Sequence, residues 1–247
     1  MDLREAQLGA LRRHPWEQAR ARALARLLEG SAIRSRPTIL DIGCGDGWAL
    51  HTLGERLGAR RRVGVDPALE QRPPSTAWLE NVETHARLAA VQDERFDLVL
   101  LLDVLEHVDD DRALLAQAAT LLADGGRLLV TVPAFPALWS AHDEFLRHHR
   151  RYRRSALLGL APRAGLAVER SGSLFGTLLV PRLVSVAAQR AGLSTSRPTG
   201  VGAWRGGPRL TWTLSRLLQA DNRGLLRLAD AGLLLPGLTA WMLCRRA

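Results

Sequence analysis

Lysine is absent from these 247 residues, so all 34 basic side chains are arginine, and the net charge is +9. An arginine carries its charge on a planar fork that pairs with phosphate or carboxylate through two hydrogen bonds. The surplus suits an anionic small molecule, a membrane surface or nucleic acid; the preference for arginine also matches a GC-rich coding sequence. Cysteine is scarce, with only Cys44 and Cys244. Two distant cysteines form neither a disulfide framework nor a metal quartet, which fits a reducing cytoplasm. The stretch Met1-Asp2-Leu3-Arg4-Glu5 lacks the apolar core of a signal peptide. No uncharged apolar run reaches the ~20 residues of a spanning helix; Arg182, Arg190, Arg227 and Asp230 break the longest candidates. The expectation is a cytoplasmic protein, with peripheral contact at the inner membrane face as a variant.

What remains is an ordinary globular composition, 47% apolar and 24% charged. The length suits one elaborated domain over 1–247. Helices rich in Ala, Leu and Arg fill 1–36, interrupted at Pro15. Strands are expected at 38–42, 62–66, 78–82, 96–102, 127–132 and 166–171, alternating with helices near 47–58, 109–123 and 155–165. Phe96–Leu102 is apolar throughout, as befits a strand buried on both faces. This alternation predicts a parallel α/β sheet. A core over 37–172 is followed by a helical insert or lid over 173–236 and a last strand over 237–247.

The run Asp41-Ile42-Gly43-Cys44-Gly45-Asp46-Gly47 ends the first strand. Strand, glycine turn and helix let backbone approach a nucleotide-like ligand closely. Its spacing is G-x-G-x-G; the dinucleotide fingerprint needs glycine at 48, where Trp48 stands. That favours a nucleoside without phosphates. Asp66 ends the second strand, where a carboxylate can accept ribose hydroxyls. These residues, with Phe96-Asp97-Leu98-Val99, Asp103-Val104-Leu105-Glu106-His107-Val108 and Asp124-Gly125-Gly126-Arg127-Leu128, resemble the successive motifs of the class I S-adenosylmethionine (SAM) dependent methyltransferases, in order over about 37–172. The resemblance implies a Rossmann-like, seven-stranded, mostly parallel sheet sandwiched by helices. It implies SAM as cofactor, held by Asp41, Gly43, Cys44, Gly45, Gly47, Asp66, Pro67, Asp103 and Val104. Val82-Glu83-Thr84-His85 stands where similar proteins carry an acid and a small residue contacting adenine, with Glu83 as one candidate and the contact left open.

Asp103-x-x-Glu106-His107 is similar to the Glu-x-x-Glu-His cluster of quinone O-methyltransferases, where a divalent ion has been assigned. The run also occurs in methyltransferases without metal, and the preferred reading is a cap for the following helix. The segment from Pro133 to Arg154 is similar to the substrate loop of a bacterial small-molecule branch, and His14-Pro15-Trp16 with Arg20 and Arg22 to its first helix. His142 or His148 is a candidate base, oriented by Asp143. Trp139, Arg150, Arg151 and Tyr152 are candidate acceptor contacts, and the five arginines within 147–154 suit an anion. His142, His148 and His149 are a weaker metal set. The insert is apolar and basic together, a pattern for capping the pocket, packing on a subunit or lying on a membrane.

The expected activity is methyl transfer, chiefly O-methylation, to a small or lipid-linked acceptor. Alternatives are an RNA or protein methyltransferase, and a non-catalytic SAM-binding subunit associated with a membrane. No Asn-Pro-Pro-Tyr-type motif follows the fourth strand, and no separate nucleic-acid module is present, so nucleic acid is the weaker partner. The pattern leaves the oligomeric state open.

Overall fold

Short apolar strands and intervening helices close into one seven-stranded sheet. The computed structural model describes residues 13–70, 77–193 and 204–247. The helices expected before residue 13 lie outside these, as do Pro73, Pro74 and the Gly-, Ser-, Thr- and Pro-containing stretch at 194–203. In chain order the elements are α1 (Pro15–Glu29), β1 (Thr38–Ile42), α2 (Trp48–Leu57), β2 (Arg61–Val65), β3 (Glu83–His85) and β4 (Phe96–Leu102). Next come α3 (Asp111–Thr120), β5 (Leu122–Pro133), α4 (Ala141–Phe145) and α5 (Arg154–Arg163). The chain closes with β6 (Leu166–Leu174), α6 (Leu179–Arg190), α7 (Pro208–Asp230) and β7 (Thr239–Arg246). The sheet order is β3-β2-β1-β4-β5-β7-β6, with β7 antiparallel to both neighbours.

The two-residue period of the central strands divides the core. Leu40, Val99 and Leu101 face α3 and α5, while Ile39, Leu98 and Leu100 face α1, α2 and α7. Leu24, Leu27 and Leu28 carry α1 onto that second face, each contributing about 2 kcal/mol by burial. Helix α1 begins in a capping box: His14 Nδ1 accepts from Trp16 N at 3.1 Å, and Glu17 accepts from His14 N at 3.0 Å. Pro15 therefore stands at the first position of this helix.

The third strand is displaced from the expected 78–82. Trp78 and Leu79 lie in a 3-10 turn, and pairing with β2 begins at Glu83. The strand expected at 127–132 begins earlier, so that Asp124-Gly125-Gly126 lies within β5, which pairs with Phe96 through Leu122, breaks register and resumes at Arg127. The expected cap at Asp103-Glu106-His107 is not one: Asp110 caps α3, accepting from Ala113 N at 2.9 Å. Three strand ends turn through left-handed residues that are not glycine, Asp103 (φ 58°) after β4, Phe135 (φ 61°) after β5 and Phe175 (φ 63°) after β6. Such a conformation costs about 1–3 kcal/mol and clusters at functional sites.

Candidate active site

The ends of β1, β2, β4 and β5, Asp103 among them, border a cavity of about 1620 Å³. Ligand pockets usually run to ~300–1,000 Å³, so this one has room for two reactants. Gly43, Asp66, Pro67, Asp103 and Val104 line it, as do Trp16, Glu17, Arg20 and Leu24 from α1.

On the donor side, β1 and β4 are neighbours from which the chain departs in opposite directions across the sheet, the usual place for a nucleotide-like ligand. Gly43 has φ 79°, and a Cβ there would come within 2.5 Å of Val104 Cγ2; at Gly47, φ 76°, it would come within 2.2 Å of Leu79 Cδ2. Asp66 ties the loop down, with Oδ2 accepting from Gly45 N and Oδ1 from Ala68 N, both at 2.9 Å. Its carboxylate lines the cavity and keeps acceptor capacity for ribose hydroxyls. Asp41 is 2% exposed, and its Oδ1 has no hydrogen-bond partner among the described residues. Burial pushes its carboxyl up to about 7. The cavity-lining carboxylate of Asp66 and the orphaned Asp41 Oδ1, beside a close-packed glycine turn, fit a ligand bearing hydroxyl and ammonium donors, as SAM does. Cys44 is buried against Gly64 with its thiol pushed up by burial, and acts as packing.

Glu83 is not part of this wall. It pairs with Arg61 at 2.7 Å and with His85 at 2.8 Å on the outer strand. Ala86, Arg87 and Leu88, just beyond β3, line the cavity instead. Asp103 is gripped by Arg20 Nη2 at 2.8 Å and accepts from Thr131 Oγ1 at 2.9 Å. The first helix thereby closes over the donor side.

On the acceptor side, Asp143 is the hub. It is fully buried; Oδ1 meets His148 Nδ1 at 3.0 Å and Arg151 Nε at 2.7 Å, and Oδ2 meets Arg182 Nη2 at 3.3 Å and Ser140 N at 3.0 Å. Burial alone would raise its carboxyl, but the His148 hydrogen bond and the Arg151 charge overcome this and hold it well below the carboxylate range. Asp143 thus positions His148 and does not itself reach the cavity. His142, His148, Arg147, Arg151 and Arg182 line the wall. Burial and then Arg182 hold the His142 imidazole below its usual range. Of the expected acceptor contacts, only Arg151 lines the cavity. Arg150 pairs with Asp111 at 3.3 Å, and the buried Tyr152 donates to Asp111 Oδ2 at 2.8 Å and to Leu105 O at 3.1 Å. Trp139 is half-buried outside the lining.

Glu106 is fully buried, with both carboxylate oxygens unpartnered among the described residues. Burial, then Asp103, push its carboxyl well up. One donor atom each from Glu106, His107 and His148 lie within 4.8 Å of one another, and the His107 and His148 rings meet edge to face at 4.7 Å. Asp103, committed to Arg20, is not in this group. His149 pairs outward with Asp109 at 2.9 Å.

The methyltransferase-domain family matches residues 11–171. The chain belongs to the class I SAM-dependent methyltransferases. The methyltransferase is 36% identical over 99 residues to the ubiquinone biosynthesis O-methyltransferase of Bradyrhizobium sp., a match covering 38% of each protein. The matched part thus spans about two fifths of the curated relatives. Among solved structures, the YcgJ protein of Bacillus subtilis superposes with a TM-score of 0.55 at 16% identity, covering 92% of this chain and 99% of that one. Coclaurine N-methyltransferase, solved with N-methylheliamine and SAH, gives 0.53 at 15% identity, covering 90% and 72%. At such identity the two structures share the fold.

Arg147 belongs to the arginine cluster expected to meet an anion, whereas Leu178, Arg182 and the 86–88 segment escaped the motif reading. Arg182 is visible in sequence only as a charge interrupting an apolar helix; its role comes from a contact 39 residues away.

Proposed function

We propose that this methyltransferase O-methylates a small organic acceptor whose hydroxyl meets His148. The observation that carries the reading is the buried pair of Asp143 and His148 in the cavity wall. An ionised Asp143 accepts from Nδ1–H, so the neutral ring keeps Nε2 as its proton acceptor. SAM supplies a methyl group made electrophilic by its sulfonium. The chain's task is alignment, by Asp66, the glycine loop and Arg20–Asp103, with removal of the hydroxyl proton to His148. Arg147 lines the cavity with no side-chain partner among the described residues, and suits a carboxylate or phosphate on the acceptor.

A lipid-linked acceptor is favoured by the outer surface beside Leu178 and Arg182. Helix α6 buries only Val186, leaving Val180, Leu183 and Val184 exposed, and Leu233, Leu234 and Leu235 are exposed nearby. No helix among the described residues is long and apolar enough to cross a membrane, so such contact would be peripheral. The test is transfer of labelled methyl from SAM to a panel of phenolic, glycan and prenylated quinone precursors. Product bearing N-methyl in place of O-methyl groups, with no O-methylation of any acceptor, would reject the reading.

A second reading rests on Glu106, His107 and His148, whose mixed oxygen and nitrogen donors suit a divalent cation. Under it, chelation abolishes turnover and magnesium restores it. Unchanged turnover in EDTA rejects the metal and leaves His148 free as base.

A further inference from the structure

Away from the donor cavity, a second hollow of about 380 Å³ opens between α1, β6 and α7. Arg26, Arg170, Arg223, Arg227 and Asp230 line it, with Leu27 and Leu226. Four guanidiniums therefore face one carboxylate, and that carboxylate is already used. Arg170 donates Nη2 to Asp230 Oδ1 at 2.5 Å and Nη1 to Leu27 O at 3.0 Å. Arg26, Arg223 and Arg227 have no side-chain hydrogen bond or ion pair among the described residues. Around Arg26 the neighbours are mostly like-charged: burial, then Arg223 and Arg56, hold its guanidinium below the usual value. Glu29, the acid that opposes them, pairs with Arg56 at 3.2 Å.

We propose that this hollow is a binding site for a phosphate-class oxyanion. Three planar forks without side-chain partners among the described residues line one hollow, where a tetrahedral anion can accept from more than one of them. The buried Leu27 and Leu226 replace water on one side and strengthen the attraction. The anchored Arg170 supplies a fourth positive charge without needing to move. None of these residues lines the donor cavity. The two sites nevertheless share α1, with Arg26 about 9 Å along the axis from Arg20. An anion here would clamp α1 to α7 from outside the active site.

The same chemistry could come from a free phosphoester or from a lipid headgroup, and the test separates them. Thermal unfolding of the intact protein is followed in sodium phosphate, in pyrophosphate and in sodium chloride at matched ionic strength. Near a hundredfold excess over Kd, phosphate should raise the melting temperature by about 5 °C above the chloride value. The double variant Arg223→Gln with Arg227→Gln should lose that increment, while keeping the chloride melting temperature and its methyltransferase activity. If the variant instead loses retention on phosphatidylglycerol vesicles, measured against phosphatidylcholine vesicles, the anion is a lipid headgroup. The proposal is overturned if phosphate acts no differently from chloride and vesicle retention survives the substitutions. An increment that persists in the double variant overturns it equally.

Discussion

The two walls of the active-site cavity are built differently. The donor wall comes from short local stretches: a glycine turn, two strand ends and an acid that ties the turn down. The acceptor wall comes from side chains drawn together on the buried Asp143: His148 and Arg151 from the same loop region and Arg182 from α6. The first depends on backbone conformation and the second on one buried charge. A donor site can therefore be altered one contact at a time, whereas the acceptor wall should fail as a unit.

That difference can be broken or sharpened by substitution. Asp143→Ala should have the largest effect, leaving two guanidiniums and an imidazole without their anion, at about 3–5 kcal/mol of stability. Because this carboxyl is held below its ordinary value, its contribution is complete above pH ~4 and fades as the pH falls below that. Urea unfolding of the variant and the parent should thus converge only in acid; convergence between pH 5 and 7 would show that Asp143 is not the anchor. His148→Gln should next lower kcat by roughly 10²–10⁴-fold with donor affinity kept. Stopped-flow chemistry as fast as the parent's would remove His148 as base.

On the donor wall, Asp66→Ala should weaken SAM binding by roughly 10–100-fold, and His142→Ala only slightly. Equal losses by calorimetry would undo the division between the walls. The remaining effect belongs to Asp41 and is read on the ligand-free protein alone. Burial raises its carboxyl to about 7, so in the absence of donor its cost to folding grows as the pH rises from about 4 towards 7. Asp41→Asn should raise the ligand-free melting temperature at pH 8 and leave it unchanged near pH 4. A shift that is independent of pH would mean that Asp41 is not the strained acid.

The sequence made the donor wall readable because its elements are local. Strands β1 and β4 match the expected 38–42 and 96–102, and Asp66 lies where strand and loop spacing put it. Strand β3 was misplaced because Trp78-Leu79 is as apolar as a strand, while the true one, Glu83–His85, has no buried residue to mark it. Two of the expected acceptor contacts, Arg150 and Tyr152, lie outside the cavity lining for a related reason. Residue type made Arg150 and Tyr152 plausible, but Asp111 claims both. Only tertiary geometry tells an arginine facing substrate from one that is already paired.

The burial of Tyr152 has a consequence for kinetics. It is the protein's one tyrosine, and burial, then Asp111, push its hydroxyl far up. Burial likewise lifts the thiols, Cys244 to about 12 and Cys44 further. With lysine absent, every side-chain type that ordinarily titrates between about pH 8.5 and 10.5 is missing or displaced. An alkaline limb in the rate profile over that range then points to the acceptor's own hydroxyl. Its midpoint should move with the acidity of the molecule being methylated, which a series of acceptors of graded acidity checks.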